Sequence, residues 1–367
     1  MSQAPKVSVV MITYNHERFI EEAVRSALHQ VVPFEYEILV SDDASRDQTP
    51  SILRRLDAEF PGRLKLTLRP QNVGMLPNFT QTVQACQGKY IAILEGDDYW
   101  TSPDKLRKQV EFLDAHPDYS MCHHNALRAV EGAAEPFALC HTKPYPAKQT
   151  LKDFMRGNPV VTCTAMLRRG LIPTIPDWYY QLKMGDWSLH ILNAQQGPVG
   201  YIDEVMAAYR IHSASNWSSR NRYDDLTAII AAMDVIQPNL DTQHGALMRD
   251  AIDGYREELV HLLLAQGKAV EAQGVESKLS RHHGLARLQN FHRALQLERE
   301  GHRWQSSLHL LKALATGWGR TPVRAPDIAL ALFRTNFPRL YSWLRGKWRG
   351  QSIAASPEDS DRRDSAS

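Results

Sequence analysis

Three carboxylates within four residues, Glu95, Asp97 and Asp98, close the stretch YIAILEGDDYW. A second acidic pair, Asp42–Asp43, closes YEILVSDD. Like charges at this spacing disfavour one another's ionisation unless something of opposite sign sits between them. Mg2+ and Mn2+ favour oxygen ligands, and such ions bind through one or two carboxylates plus phosphate oxygens and water. The usual phosphate cradles are absent: no GxGxxG follows the first apolar run and no GxxxxGK[ST] occurs. A diphosphate can still be held without a glycine-rich loop when a cation bridges carboxylate and phosphate. Asp42–Asp43 needs no metal, because either carboxylate suits a hydrogen bond from a base N–H or a ribose hydroxyl. The competing reading of both clusters is a pair of solvated turns.

The elements that carry these residues argue against solvated turns. VSVVMITYN (7–15) reads as a buried strand, and HERFIEEAVRSALHQ has helical periodicity, with Phe19, Ile20, Ala23, Val24, Ala27 and Leu28 on one side. YEILVSDDAS, RLKLTLRP and GKYIAILEGDD read as further strands, with helices over DQTPSILRRLDAEF, MLPNFTQTVQACQ and PDKLRKQVEFLDAHP between and after them. YSMCHHNALRA returns as a strand, and its His123–His124 pair reads as strand residues on opposite faces rather than as ligands. Strand–helix alternation predicts an α/β fold, a mostly parallel sheet sandwiched by helices. Ligands of such sheets bind at the carboxyl ends of the strands. Those ends are where Thr13-Tyr14-Asn15, Asp42-Asp43 and Glu95-Asp97-Asp98 stand. NPVVTCTAMLRR is expected as a strand and DWSLHILNAQQG as a helix opened by Asp186; beyond Tyr223 the chain reads as helical to 349.

At 367 residues, 43% of them hydrophobic, the chain exceeds the size of one ordinary core. The expected division is 1–222 as the catalytic domain, 223–349 as a helical region and 350–367 as a disordered tail. The net charge of +2 hides an asymmetry: residues 1–280 hold 28 Lys/Arg against 34 Asp/Glu, and residues 281–349 hold 13 against 3. In ALALFRTNFPRLYSWLRGKWR aromatics alternate with arginines, as at a membrane interface. An anionic membrane surface is the expected partner of this region, with a helical domain that keeps a solvated basic face as the alternative; nucleic acid is not expected. Four scattered cysteines without a CxxC pair suit reduced thiols. No run of ~20 apolar residues is present to span a bilayer. With an N-terminus that reads as free of a signal peptide, the expected location is cytoplasmic, peripheral at the inner face of the membrane.

VSVVMITYNHERFIEEAVRSALHQ, EILVSDDASRDQT, QNVGMLPNF, GKYIAILEGDDYW and DKLRKQVEFL, in this order and at this spacing, resemble the family-2 glycosyltransferases of the GT-A fold. GDWSLHILNAQQGPVGYIDEVMAAYRIHSASNWS resembles the second half of the same domain, so the likeness spans roughly residues 5–220. It implies an inverting transferase, hexosyl or N-acetylhexosaminyl, that moves a sugar from a nucleotide diphosphate donor, a UDP-sugar, to a glycan or lipid-linked acceptor in cell-surface polysaccharide assembly. By position, Thr13, Tyr14 and Asn15 line the nucleoside pocket, Asp42 or Asp43 meets the base, and Asn72 joins the donor site. EGD at 95–97 stands where the family writes Asp-x-Asp. Asp97 is then the main ligand of Mn2+ or Mg2+, Asp98 its neighbour or alternate, and His212 of YRIH a histidine ligand. Glu95 reaches the ribose or shapes the loop. Asp186 matches the catalytic base, and a helix start there favours its ionised form. A catalytically silent nucleotide-sugar-binding scaffold and a sugar-1-phosphate nucleotidyltransferase are the alternatives; the latter expects a glycine-rich loop where TYNHERF stands.

Overall fold

The computed structural model describes residues 4–133, 137–143, 145–172, 174–213, 220–279, 290–291, 293–295, 297–298, 300–315 and 325–336. The tail at 350–367, the aromatic–basic run from 337 to 349 and Asn216 of the NWS triplet lie outside them. By its internal contacts the chain divides into two compact units, Met1–Ile252 and Asp253–Ser367.

In the first unit the alternating apolar runs become β1 (Val7–Thr13), β2 (Tyr36–Asp42), β3 (Leu64–Leu68) and β4 (Tyr90–Ile93), joined by α1 (Ile20–Leu28), α2 (Thr49–Glu59) and α3 (Met75–Gln84). All four strands run parallel, with β1 between β2 and β4. Val7, Val9 and Met11 of β1 are fully buried and meet Ile20, Ala23 and Val24 of α1 in the core. Each Val, Ile or Met side chain so removed from water contributes about 1.5–3 kcal/mol.

Along the sheet the order is β3-β2-β1-β4-β9-β6-β10-β5, with β5 (Tyr99–Trp100), β6 (Met121–Val130), β9 (Met166–Arg168) and β10 (Val199–Ile211) completing that path. Off it, β7 (Phe137–Leu139) pairs antiparallel with β6, and β8 (Lys148–Gln149) antiparallel with β10. From β1 the chain winds outward through β2 and β3, then returns to pair β4 on the other flank of β1. A crevice opens outside the carboxyl ends of the strands at such a switch point. Here those ends are Thr13 and the turn that begins at Glu95.

The helix α4 (Lys105–Ala115) follows the acidic turn, and α5 (Asp186–Ala194) follows β9. The single strand expected over NPVVTCTAMLRR is shorter than its apolar pattern suggests. Thr162–Thr164 form a 3-10 turn closed by Thr164 N–H onto Val161 O, and only Met166–Arg168 pairs, antiparallel to β4 and β6. β10, thirteen residues long and parallel to β6, breaks its register near Ile202–Ala207. The acidic run Ile202-Asp203-Glu204 hides it from pattern reading. From Arg222 on, the helical expectation is kept by α6 (Arg222–Ile236), α7 (Thr242–Ala265), α8 (Ala269–Glu276), α9 (Arg303–Ala315) and α10 (Ala325–Asn336).

Candidate active site

The turn loops at the ends of β1 and β2 are stitched into one cradle. Asp43 N–H donates to Thr13 O at 3.0 Å. Asn15 N–H donates to Ser45 Oγ at 2.8 Å, and Arg46 N–H returns to Asn15 Oδ1 at 2.8 Å. Asp42 Oδ2 accepts Ser45 N–H at 3.0 Å, and the Ser45 hydroxyl donates to Asp42 Oδ1. Asn15 and Ala44 sit in the left-handed region at φ 57° and 60°. Asn tolerates that conformation, whereas Ala is strained by roughly 1–2 kcal/mol, so the hydrogen bonds around Ala44 must hold the turn in place.

Asp43 fastens a third loop. Its two carboxylate oxygens accept Val73 N–H and Gly74 N–H, each at 2.9 Å, while Asn72 Nδ2 donates to Asp43 O at 3.0 Å. The expected donor residues Thr13, Asn15, Asp42, Asp43 and Asn72 thus form one continuous rim. Asp42 and Asp43 are 1% and 3% exposed, so each is first a fastener of the loops. Tyr14, 39% exposed, stands out of the rim with its ring accessible.

β4 runs out into the acidic turn, which continues along β1 through Leu94 N–H to Val10 O and Gly96 N–H to Ile12 O, both 3.0 Å. Glycine is required at 96 by close approach: a Cβ there would lie 2.6 Å from Thr13 Oγ1, 2.7 Å from Thr13 Cβ and 3.0 Å from His16 Nδ1. Gly96→Ala is therefore expected to cost about 1–3 kcal/mol of stability, seen as a lower urea midpoint at unchanged slope. An unchanged midpoint would mean that the two loops do not pack this closely in solution.

The four carboxylates of the turn and of α5 stand in unequal environments. Burial, then the charges of Asp97, Asp98 and Asp186, push Glu95 well above the ordinary carboxylate range. Asp98, 1% exposed, is raised by burial and by Asp97, against the Arg210 amide, which donates to its Oδ1 at 2.8 Å. Asp97 goes the other way. Burial would raise it, but the hydrogen bond with His212 and the nearby His16 outweigh burial and bring it below its usual value. His212 Nε2 lies 3.2 Å from Asp97 Oδ2, and His16 Nε2 lies 3.8 Å from the same oxygen. Asp97 is therefore where the turn concentrates negative charge.

His212 reaches this place because β10 ends at Ile211 beside the turn, its ring packed against Phe19 at 4.5 Å. Two residues earlier, Arg210 Nη1 donates to Asp97 O at 2.6 Å, Nη2 pairs with Glu22, and the guanidinium lies 4.3 Å from the Tyr99 ring centre. Sequence reasoning missed His16 and Arg210 as site residues. The only signals were their positions, directly after TYN and inside YRIH.

Asp186 opens α5, with Gly185 as the N-cap. Its Oδ2 accepts Asn158 Nδ2–H at 2.7 Å. The expectation that the helix start keeps it readily ionised needs correction. Burial raises it, and this outweighs the hydrogen bonds from the Trp187 and Asp186 amides and from the Asn158 and Thr162 side chains. Its charge is felt by Glu95, which places the two carboxylates in one field.

Two donors on one octahedral ion with bonds of ~2.1 Å lie about 3 Å apart, the spacing found between Asp97 Oδ2 and His212 Nε2. To hold Mn2+ or Mg2+ the pair must give up this hydrogen bond and carry the His212 proton on Nδ1. Asp98 is turned to β10 and raised toward its neutral form, so it stands as neighbour to the pair. Among the described residues no three His, Cys, Asp or Glu side chains form a complete metal cage. A two-ligand site leaves coordination positions for phosphate oxygens and water.

The fold itself is of the GT-A class. The structure superposes on a Staphylococcus aureus TarS fragment in complex with UDP-GlcNAc at a TM-score of 0.53, with 18% identity, covering 86% of this chain and 93% of that one. It matches a mannosyltransferase of Pyrobaculum calidifontis in complex with GDP-Man and Mn2+ at 0.50, with 19% identity, covering 86% and 87%. In sequence, an uncharacterized protein of Mycobacterium bovis is 32% identical over 340 residues, 88% of this chain and 94% of that protein. A putative teichuronic acid biosynthesis glycosyltransferase of Bacillus subtilis is 36% identical over 222 residues, 60% of this chain and 83% of that protein. The model of glycosyl transferase family 2 matches residues 8–174. The chain belongs to glycosyl transferase family 2.

Proposed function

We propose that this glycosyltransferase moves a hexosyl or N-acetylhexosaminyl group from a UDP-sugar to a hydroxyl of a glycan or lipid-linked acceptor, with inversion, in cell-surface polysaccharide assembly. The observation that carries the reading is the division of labour among carboxylates: Asp97, lowered and paired with His212, against Asp186, raised and held apart on α5. The relative named for teichuronic acid biosynthesis and the neighbour in complex with UDP-GlcNAc support the substrate classes.

In this reading the rim of Thr13, Tyr14, Asn15, Asp42, Asp43 and Asn72 holds the nucleoside, and Glu95 shapes the turn between donor and base. Asp97 and His212 would hold a divalent ion, which when bound would supply positive charge beside the leaving diphosphate. Asp186 takes the proton of the acceptor hydroxyl as its oxygen bonds to the anomeric carbon. In the same displacement the bond from the anomeric carbon to the diphosphate oxygen breaks, and its electron pair leaves with the diphosphate. A panel of nucleotide sugars screened by thermal shift with and without Mn2+, followed by NMR of the product anomer, tests this. Retention of configuration, or stabilisation by no nucleotide sugar, overturns it.

The basic second unit supports an anionic membrane surface as partner. On α9 the side chains of Trp304, Leu308 and Leu311, at helical spacing, are 76%, 40% and 53% exposed beside exposed Arg303 and Lys312. No helix among the described residues is long and apolar enough to cross a membrane. Basic residues near an anionic leaflet contribute about 1 kcal/mol each. Liposome flotation is expected to recover more protein on anionic than on neutral vesicles, and less after Trp304→Ser. Equal recovery on both vesicles removes the membrane from the proposal.

A further inference from the structure

Behind Asp186 lies a chain of side chains that the reading above does not use. Asn158 Nδ2 donates to Asp186 Oδ2 at 2.7 Å. Asn158 Oδ1 accepts Val160 N–H at 3.2 Å and faces His190 Nδ1 at 3.0 Å. The Val160 amide can only donate, so the Asn158 oxygen must point toward it and the NH2 group toward Asp186. His190 is fully buried, and burial pushes its imidazole down to about 3, so the ring is neutral and carries one proton. Opposite an acceptor oxygen, that proton belongs on Nδ1.

We propose that Asn158, held in one orientation by His190, positions the Asp186 carboxylate and sets its basicity for proton removal from the acceptor. The inference rests on Asp186 being the base. His190 is on the same helix as Asp186, one turn on, whereas Asn158 comes from the loop before the 3-10 turn at Thr162–Thr164. The arrangement therefore locks that loop to α5 at the reacting carboxylate. An amide cannot ionise, so the chain orients Asp186 without draining its proton, which leaves to solvent. The other titratable groups that face Asp186 are Glu95 from the acidic turn and Tyr179 from the 3-10 turn Asp177–Gln181.

A donor to the ionised form favours that form, so losing it must raise the acid limb of the rate profile. The assay is Mn2+-dependent UDP release from the UDP-sugar chosen by thermal shift, with water as acceptor. Asn158→Ala is expected to move the acid limb of kcat up by about one pH unit, with donor KM within about twofold. His190→Leu should move it the same way by less. His190→Asn, whose amide can place an N–H where Nδ1–H stood, should restore it. A role in folding alone would lower the melting temperature and leave the limb where it is. Should Asn158→Ala fail to fold, the two His190 variants read the same effect from outside the loop. Unmoved limbs, alongside an inactive Asp186→Asn, overturn the positioning role and leave the base intact. Activity retained in Asp186→Asn overturns the base itself.

Discussion

Replacing Asp97 by alanine is expected to abolish the Mn2+ dependence of donor binding and to lower turnover by at least a hundredfold. Asp97 is the one carboxylate of the cluster whose environment favours its charged form. Its neighbours cannot take over. Asp98 gives Oδ1 to the Arg210 amide, and both Asp98 and Glu95 are pushed toward their neutral forms by burial and by Asp97 itself. Of the proposed pair only the neutral donor His212 Nε2 would be left to hold an ion against a diphosphate. Even residues one shell removed from a metal typically cost 10–100-fold when changed, which sets a floor for a direct ligand. Calorimetric titration with UDP in Mn2+, repeated after chelation, measures the effect. Wild type should bind far more weakly without the ion, and Asp97→Ala should bind equally weakly in both. A variant that binds and turns over normally would remove Asp97 and His212 from the metal site.

Asp186→Asn is expected to lower turnover by about 10²–10⁴-fold, the range of general-base assistance, while donor affinity stays near wild type. Asparagine keeps the size of the side chain and can still accept hydrogen bonds from the first turn of α5, so the change isolates basicity from folding. The pH dependence carries a definite sign. Burial raises Asp186, and the basic form is the ionised one, so activity is present above the raised value and is lost as pH falls through it. The acid limb of kcat should thus lie above the ordinary aspartate value of about 3.9, and it should vanish in Asp186→Asn. An acid limb that persists in the variant would assign it to another group, with Glu95 the first candidate.

Much of the rim at the strand ends was legible in the sequence because each of its parts is local. β1, β2 and β4 are apolar runs of β-branched residues that end in polar clusters, and a parallel sheet sends those clusters to one edge. Thr13, Asp42 and the turn at Glu95–Asp98 could be placed together on that argument alone. Legibility stops where function depends on partners distant in sequence. Asp42 and Asp43 read as groups waiting for a base, yet their oxygens are held by Ser45, Val73 and Gly74. Lys105, a charged residue at the start of α4, is fully buried over the Trp100 ring at 4.0 Å and donates to Gln109 Oε1 at 2.7 Å. Its burial pushes the amine down to about 7.

The sequence by itself determined the alternation of strands and helices, the parallel strands β1 to β4 and the presence of an acidic turn at their carboxyl edge, whereas the antiparallel pairing of β9 and β5 in the other half of the sheet was set by the tertiary structure. Period, turn chemistry and strand polarity are properties of neighbouring residues. Only the tertiary structure decided which carboxylate keeps its charge. Asp97 and Asp98 are adjacent and identical in type, but β10 brings the His212 ring to one and the Arg210 amide to the other. Burial then raises the carboxylate without the histidine, and no spacing rule carries that difference. The state of Asp186 was likewise set in space, where burial on α5 and the amide of Asn158 act against each other.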